Sequence, residues 1–152
     1  MVLAASAAEV VGAAKATRAT ASTAQFVTLS NNASDGFIKA MGTVGPGMIV
    51  GQVFPSERTM SIGFVREAAQ LAQKKGVALS PAVLEGFAAA KVLVEGLRRA
   101  GPQPTGAKLR DALESISNLD LGGISLGYSA DDHSGISYTD LSIITKEGHF
   151  RR

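Results

Sequence analysis

The sequence predicts an α/β fold in which helices flank a partly parallel sheet, and three observations lead to it. Short apolar, β-branched runs alternate along the chain with longer segments whose apolar residues recur at helical spacing. The 152 residues are 45% hydrophobic and 18% charged, which is typical of one ordinary globular domain. Only 5% of the residues are aromatic and none is Trp, so Ala, Val, Leu and Ile must build the core.

The first part of the chain is expected to contain two helices and two strands. The alanine-rich segment 8–19 favours a helix, and the apolar segment 25–29 (QFVTL) favours a strand. Ser34 is expected to cap a short helix that ends at Gly42. After the turn cluster GTVGPG, the segment 47–54 (GMIVGQVF) is predicted to form the second strand.

Three further helices are predicted next. Apolar residues at helical spacing indicate an amphipathic helix over 60–75. A serine followed by a proline at 80–81 is a strong signal for an N-cap and a first helical residue, and that helix is expected to reach Ala100. The segment 105–116 begins with a threonine suited to capping and predicts a shorter helix.

The apolar pattern changes to a period of two near the end of the chain. The alternation over 124–128 predicts a strand, and 138–144 predicts another. A turn is expected at 147–148, before Phe150. Strands that alternate with helices over the whole chain favour some parallel pairing.

Composition excludes several classes of function. The formal net charge is +2 and the basic residues are dispersed, so the basic stripe of a nucleic-acid-binding protein is missing. With no cysteine, the chain has no disulfide, thiolate metal site or cysteine nucleophile. No apolar run approaches the roughly 20 residues that span a bilayer. The start, MVLAASAAEVVGAA, lacks a basic region and a hydrophobic run, and is a poor signal peptide.

No motif indicates catalysis, a metal or a cofactor. Asp131-Asp132-His133 is interpreted as a turn, because consecutive residues rarely converge on one ion. GTVGPG does not match the dinucleotide or P-loop patterns, and no G-x-S-x-G is present to expose a serine. Composition alone leaves a Ser-His-Asp triad open, since such triads are assembled in space. We therefore expect a protein that is not an enzyme and has no cofactor.

Four segments together resemble a known family. They are AASAAEVVGAAKATRATASTAQFVTLSN (4–31), GMIVGQVFP (47–55), SPAVLEGFAAAKVLVEGLRRAG (80–101) and DLGGISLGYSADDHSGISYTDLSIITKEGHF (120–150). In this order they resemble the C-terminal part of the periplasmic solute-binding proteins of ABC importers, of the branched-chain amino-acid (Leu/Ile/Val) type. The resemblance covers nearly the whole chain and implies a C-terminal fragment, somewhat less than the last half of a family member.

The resemblance implies a type I periplasmic-binding-protein fold, in which two lobes with Rossmann-like parallel sheets close on a ligand by hinge motion. Residues 1–47 would belong to the C-terminal lobe. Residues 48–118 would supply a hinge crossing and part of the N-terminal lobe. Residues 119–152 would supply the return crossing and the closing strands of the C-terminal lobe. Partial sheets of this kind predict unprotected edges and an uncovered apolar face.

The resemblance also implies where a ligand would bind. Ser6 and Ala7 match a turn at which a helix N-terminus offers free N–H groups to a ligand, and a simple N-cap is the equal alternative. Ser30 and Asn31 match a second cleft loop. Amino-acid binders of the family commonly place a carboxylate in that loop, and here Asp35 is the nearest acid, so the loop departs from the pattern of α-amino-acid binders and suits a carboxylate or an amide just as well. An ordinary hydrogen-bonded turn is the alternative for that loop.

Phe87 matches an aromatic residue of the N-terminal lobe that faces the cleft. A core position on the apolar face of its helix is the competing interpretation, and it is the stronger of the two. Phe54, beside the hinge strand, is a weaker candidate of the same kind.

The function implied is capture of an amino acid or a small aromatic or aliphatic carboxylate and its delivery to the permease of an ABC importer, without chemistry. The parent protein would be periplasmic, with a signal removed or lying upstream. A ligand-sensing regulatory module of the same fold is the alternative, and a truncated chain that binds nothing is a third. A fragment could also pair with a second copy, as a homodimer or by exchanging elements.

Overall fold

A computed structural model describes all 152 residues, and the chain divides into two compact units. The first unit comprises Met1–Pro55, Ser80–Ala82 and Tyr138–Arg152, and the second comprises Ser56–Leu79 and Val83–Ser137. In chain order the elements are β1 (Val2–Leu3), α1 (Ala7–Ala19), β2 (Val27–Thr28), α2 (Asp35–Met41), β3 (Ile49–Gln52), α3 (Gly63–Lys74), α4 (Pro81–Ala100), α5 (Gly106–Glu114), β4 (Leu119–Asp120), β5 (Ser125–Leu126), β6 (Asp140–Ile144) and β7 (Phe150–Arg151). Short 3-10 turns cover Ser30–Asn32 and Gly42–Val44.

The first unit contains a five-stranded sheet in the order β1-β2-β3-β6-β7. The pairs β1–β2 and β2–β3 are parallel, whereas β3–β6 and β6–β7 are antiparallel. The helices α1 and α2 connect the three parallel strands, which is the connection that parallel pairing requires. The predicted α/β class with partial parallel pairing is therefore confirmed.

One face of this sheet packs against α1 and α2 and forms the core of the first unit. Val50 and Ile144 on the sheet, and Phe26 immediately before β2, are at most 2% exposed. The remaining members of this cluster are Val10, Ala14, Ala33, Phe37, Ile38, Met41, Met48 and Phe150. We call this surface the helix-covered face.

The opposite surface, which we call the open face, carries Val2, Val27, Ile49, Leu141 and Ile143. The first three and Ile143 form one cross-strand row, because they are successive partners in the pairing register. Leu141 lies two positions from Ile143 and points the same way. Val2 is 69% exposed, Leu141 57% and Ile143 37%. The predicted uncovered apolar face is therefore present on this sheet.

The second unit is mainly helical. It contains α3, α4 from Val83 onward, α5 and a two-stranded antiparallel ribbon, β4–β5. Its largest fully buried side chains include Phe64, Leu84, Ile116 and Leu121. The apolar stripe of α4 is buried only in part, since Leu84 is fully buried whereas Val94 is 66% exposed.

A close backbone approach in the second unit requires glycine. Gly122 has a φ of 111°, and a Cβ added there would lie 2.9 Å from the backbone nitrogen of Phe64. The Phe64 N–H donates to the carbonyl of Gly122 at 2.8 Å. The start of α3 is thereby fixed against the ribbon.

The predicted helices are confirmed and most strands are shorter than predicted. Ser34 caps α2 through the N–H of Phe37, and α4 covers 81–100. The predicted start of α3 at 60 is wrong by three residues, because turns at 59–62 come before it. The predicted strand over 124–128 covers only Ser125–Leu126. The backbone turns away from the ribbon after Leu126, because the N–H of Tyr128 donates to the carbonyl of Ile116.

Candidate ligand-binding site

The carboxyl ends of β1, β2 and β3 lie at one edge of the first unit's sheet, because these strands are parallel. The loop after β1 contains Ala5, Ser6 and Ala7, and the loop after β2 contains the turn Ser30–Asn32. Open α/β sheets bind ligands beyond the carboxyl ends of their strands. Four of the five sequence-predicted site residues are therefore brought to the same edge.

Hydrogen bonds to the carbonyl of Ala5 tie the two loops together. Asn31 and Asn32 both donate to it through Nδ2, at 3.2 and 3.3 Å. The Asn32 amide also donates to Oγ1 of Thr28 at 2.9 Å, and that hydroxyl donates to the carbonyl of Leu3 at 2.8 Å. The spacing of the two loops is thus set by a continuous network from β1 to β2.

Asn32 was not predicted as a site residue, but it is a buried amide at this edge with an unpaired oxygen. It is 1% exposed, and its Oδ1 has no hydrogen-bond partner. The amide cannot be reversed, because the carbonyl of Ala5 can only accept. No pattern in the sequence separates Asn32 from its neighbour Asn31, since their different burial arises from long-range packing.

Ser6 is the N-cap of α1 and forms a capping box with Glu9. The Ser6 hydroxyl donates to Oε2 of Glu9 at 2.6 Å, and the Ser6 N–H donates to the same oxygen at 3.0 Å. In return the N–H of Glu9 points at the Ser6 hydroxyl, at 3.5 Å. The spacing S-x-x-E in the sequence is the signal that could have found Glu9.

The capping box determines which hydrogen-bond donors at the α1 N-terminus remain available to a ligand. The side chain and the N–H of Ser6 are engaged, whereas the N–H of Ala7 is in the first turn and has no intrahelical acceptor. Hydrogen bonds from the Ser6 hydroxyl and then the Ser6 N–H lower the pKa of Glu9 below its ordinary value of 4.5. A carboxylate at this helix end opposes a second anion beside it. The Ser6 side chain therefore acts as the helix N-cap, which was one of the two interpretations of this residue.

Ser30 and Asn31 offer neutral polar groups at the same edge. The Ser30 hydroxyl has no hydrogen-bond partner within the structure, and its residue is half-buried. Asn31 is exposed, and its amide nitrogen is held by Ala5. These groups can donate to a carboxylate or an amide and can accept from an ammonium or amide N–H.

Phe87 belongs to the second unit. Its ring lies 5.3 Å from that of Phe64, measured between centroids and inclined at 34°. Lys91 Nζ lies 5.4 Å from the Phe87 ring and forms an ion pair with Glu67 at 2.6 Å. Phe87 is half-buried, so its ring has both a packed side and an accessible side.

The segment Asp131–His133 forms a hydrogen-bonded turn. Ser129 Oγ accepts from the N–H groups of Asp131 and Asp132, and Asp132 Oδ1 accepts from the N–H of Ser134 at 2.8 Å. His133 Nε2 lies 3.2 Å from a carboxylate oxygen of Glu114. No cluster of three or more His, Asp or Glu side chains suited to a metal occurs in the structure.

None of the helices combines the length and the apolarity that are needed to cross a bilayer.

A family model described as periplasmic binding protein matches residues 1–147, and the chain belongs to this family. Among curated proteins, no match is found.

Solved structures support the same fold. A substrate-binding periplasmic protein from Ralstonia solanacearum is 29% identical with a TM-score of 0.80, over 98% of this chain and 44% of that one. A possible leucine/isoleucine/valine-binding protein from Rhodopirellula baltica is 20% identical with a TM-score of 0.84, over 99% and 42%. A branched-chain amino-acid ABC transporter protein from Thermus thermophilus with bound valine is 16% identical with a TM-score of 0.71, over 93% and 41%. The chain thus spans less than half the length of each of these structures, and the predicted fold, that of type I periplasmic binding proteins, is confirmed.

Proposed function

We propose that the protein binds a small solute outside the cytoplasm and delivers it to an ABC importer, without chemistry and without a cofactor. The membership of residues 1–147 in the periplasmic binding protein family supports this function. The observation that carries it is the polar edge at the carboxyl ends of β1 and β2. There the Ser30 hydroxyl and the Asn31 side-chain oxygen make no hydrogen bond within the protein and are available to a ligand. The parent protein would act in the periplasm, and its partners would be permease subunits.

The ligand proposed is an amino acid or a small aromatic or aliphatic carboxylate. Ser30 and Asn31 are neutral, so they can hydrogen-bond a carboxylate or an amide but supply no counter-charge to an ammonium group. Glu9 is the acid that hydrogen-bonds at this edge, through Ser6. The solved structure with bound valine supports an amino-acid ligand at the level of the family.

The mechanism proposed is closure of two lobes around the ligand. In this proposal residues 1–47 and 119–152 belong to one lobe and its return crossing, and residues 48–118 supply a crossing and part of the other lobe. Ser6, Ala7, Ser30, Asn31 and Phe87 are the residues proposed to contact the ligand. A ligand-sensing module of the same fold would use the same residues.

Self-association is a further part of the proposal. The open face exposes Leu141 and Ile143, and β1 is an edge strand paired on one side only. A second copy would cover such apolar surface and extend such an edge. Sedimentation equilibrium over a wide concentration range is the measurement. A dimer is expected, and the monomer mass at every concentration would contradict self-association while leaving ligand binding untouched.

The experiment for ligand binding is a thermal-shift screen of the chain against amino acids and against aromatic and aliphatic carboxylates. A ligand present at 100 times its Kd stabilises the native state by about 2.7 kcal/mol, which raises the melting temperature measurably. We expect at least one such compound to raise it. No shift over a broad panel would contradict the binding proposal.

A pair of asparagine variants tests the location of the site. Asn31→Ala removes an amide from the proposed site, and the carbonyl of Ala5 keeps its second donor, Asn32. Asn118→Ala removes an exposed asparagine of the second unit and serves as the matched control. We expect the ligand-induced shift to fall only in Asn31→Ala. Equal shifts in both variants would place the ligand elsewhere. Uptake with a reconstituted importer would separate transport from sensing.

A further inference from the structure

Arg152 joins two strands of the first unit at the edge where the chain leaves for the second unit. Its Nη1 donates to Oδ2 of Asp140 at 3.0 Å and to the hydroxyl of Tyr138 at 3.1 Å. Its Nη2 donates to the carbonyl of Phe54. One guanidinium therefore holds groups from the segment after β3 and from the start of β6.

The positions of these partners coincide with two boundaries between the units. The first unit extends to Pro55 and resumes at Tyr138. Phe54 is thus the last residue but one before the chain first departs, and Tyr138 is the first residue after its last return. Gln52 and Asp140 form the last cross-strand pair of β3 and β6, so Arg152 binds just beyond the end of their ladder.

A second polar tie lies inside the ladder. Gln52 donates through Nε2 to the Ser142 hydroxyl at 2.7 Å, and that hydroxyl donates to the carbonyl of Val50 at 3.3 Å. Both side chains are buried, at 2% and 3% exposed. The strands β3 and β6 are therefore fixed by a buried tie within the ladder, and Arg152 extends that fixation to the departing segments.

The chemistry of the Arg152 contacts suits a fixed geometry. A guanidinium is planar and always charged, and its forked donors can hold a carboxylate and a carbonyl at once. The Arg152 side chain is 20% exposed and that of Asp140 is 40% exposed, so the pair is more enclosed than an ordinary surface ion pair. The neighbouring Arg151 has the same charge and ends β7, where it pairs with Ile143, but it contacts none of the three groups that Arg152 holds.

We propose that Arg152 is a positioning residue that clamps the first and the last crossing segments together, so that bending at these two crossings starts beyond Phe54 and before Tyr138. The clamp limits the range of angles that the units sample without ligand. This role rests on the proposed function, in which two lobes close on a solute. The clamp itself requires no ligand, so it can be tested independently.

The first test is hydrogen exchange followed by mass spectrometry on peptides that cover 52–57 and 137–141. Arg152→Gln removes the charge and the fork, and Arg151→Gln is the matched control. We expect severalfold faster exchange in both peptides for Arg152→Gln and wild-type exchange for Arg151→Gln. Arg152→Lys keeps the charge but cannot form the fork, so it should fall between the two.

The second test measures the spread of positions between the units. The chain has no cysteine, so Lys39→Cys and Gln70→Cys introduce one spin label on an exposed position of each unit. We expect the distance distribution between the labels to widen in Arg152→Gln and to stay unchanged in Arg151→Gln, with an unchanged far-UV circular dichroism spectrum. If Arg152→Gln unfolds, Asp140→Asn removes the charged partner and should give the same widening.

Two results would overturn the clamp. Equal exchange and equal distance distributions for Arg152→Gln and Arg151→Gln would show that the contacts do not restrain the crossings. Uniformly faster exchange over the whole first unit would show a general loss of stability instead of a local restraint. A failed ligand screen combined with the expected widening would leave the clamp standing and contradict only the proposed function.

Discussion

The two faces of the five-stranded sheet differ in a way that hydrophobicity alone would not anticipate. The helix-covered face contains the buried polar residues Thr28, Gln52 and Ser142, each at most 3% exposed. The open face carries Leu141 and Ile143, which are at least 37% exposed. In β6 (DLSII), Ser142 therefore lies on the helix-covered face and Leu141 lies on the open face.

Hydrogen bonding explains how the polar residues are tolerated inside. Gln52 bonds Ser142, and Thr28 bonds the carbonyl of Leu3, so their polar groups are paired after burial. Parallel sheets are normally covered on both faces, and their strands carry apolar residues on both. The comparison of the two faces shows that the open face has the apolar composition of a buried surface. It supports a second layer of protein there, which in our proposal is a second copy of the chain.

The largest effect is expected for Phe26→Ala on the helix-covered face. Phe26 is 1% exposed in the core cluster, and the Arg18 guanidinium lies 4.4 Å from the centroid of its ring. Removing a buried phenylalanine costs about 3–5 kcal/mol through lost burial and the cavity left behind. Urea denaturation should show this loss in the free energy of unfolding.

Leu141→Ala on the open face is the matched control for this comparison. Leu141 is 57% exposed, and at a concentration low enough to keep the chain monomeric a substitution at such a position changes the free energy of unfolding by about 0.5 kcal/mol or less. A comparable loss for Leu141→Ala and Phe26→Ala would contradict an open face in the monomer. A loss for Leu141→Ala that disappears on dilution would instead report self-association through that face.

A smaller effect than that of Phe26→Ala is expected from the capping box, and it depends on pH. The pKa of Glu9 is lowered in the folded state by the Ser6 hydroxyl and N–H, so the folded state favours the ionised carboxylate. Its stabilisation is present above the ordinary pKa of 4.5 and is lost as the pH falls through the lowered value. Glu9→Gln should therefore melt below the wild type at neutral pH, and the difference should vanish in acid.

The other carboxyl groups contribute equally to the pH dependence of both proteins, because Glu9→Gln leaves them unchanged. Ser6→Ala removes the partner of Glu9 and should reduce the same pH-dependent difference. A difference between Glu9→Gln and wild type that persists unchanged in acid would show that the hydrogen bonds of Ser6 are not its source. Melting followed by circular dichroism at several pH values is the measurement.

Local signals in the sequence predicted the helices well. The N-cap Ser34 and the terminator Gly42, with a φ of 54°, bound α2 as expected. The proline at the start of α4 and Gly101, with a φ of 83°, just beyond its end did the same. These signals succeed because capping and glycine conformations depend on residues within one turn of the chain. The start of α3 was misplaced because its apolar pattern extends into the preceding turns.

The candidate site was predictable only in part. Ser6 and Asn31 could be marked from the sequence, but not the carbonyl of Ala5 that links their loops, nor the burial of Asn32. Glu9 could have been found from its spacing to Ser6, since a capping box is local. The burial of Asn32 depends on Thr28 and Ala5, and the latter lies 27 residues away in the chain.

The sequence by itself determined the α/β class, the helices and their caps, and the family, because these depend on local periodicity and on the order of segments. Tertiary structure decided the strand order β1-β2-β3-β6-β7, the face that is covered, and the convergence of two loops on Ala5. Period-two alternation marks two faces of a strand but does not say which one meets the helices. That choice is made by contacts between residues far apart in the chain, where Ser142 finds a buried partner and Leu141 does not.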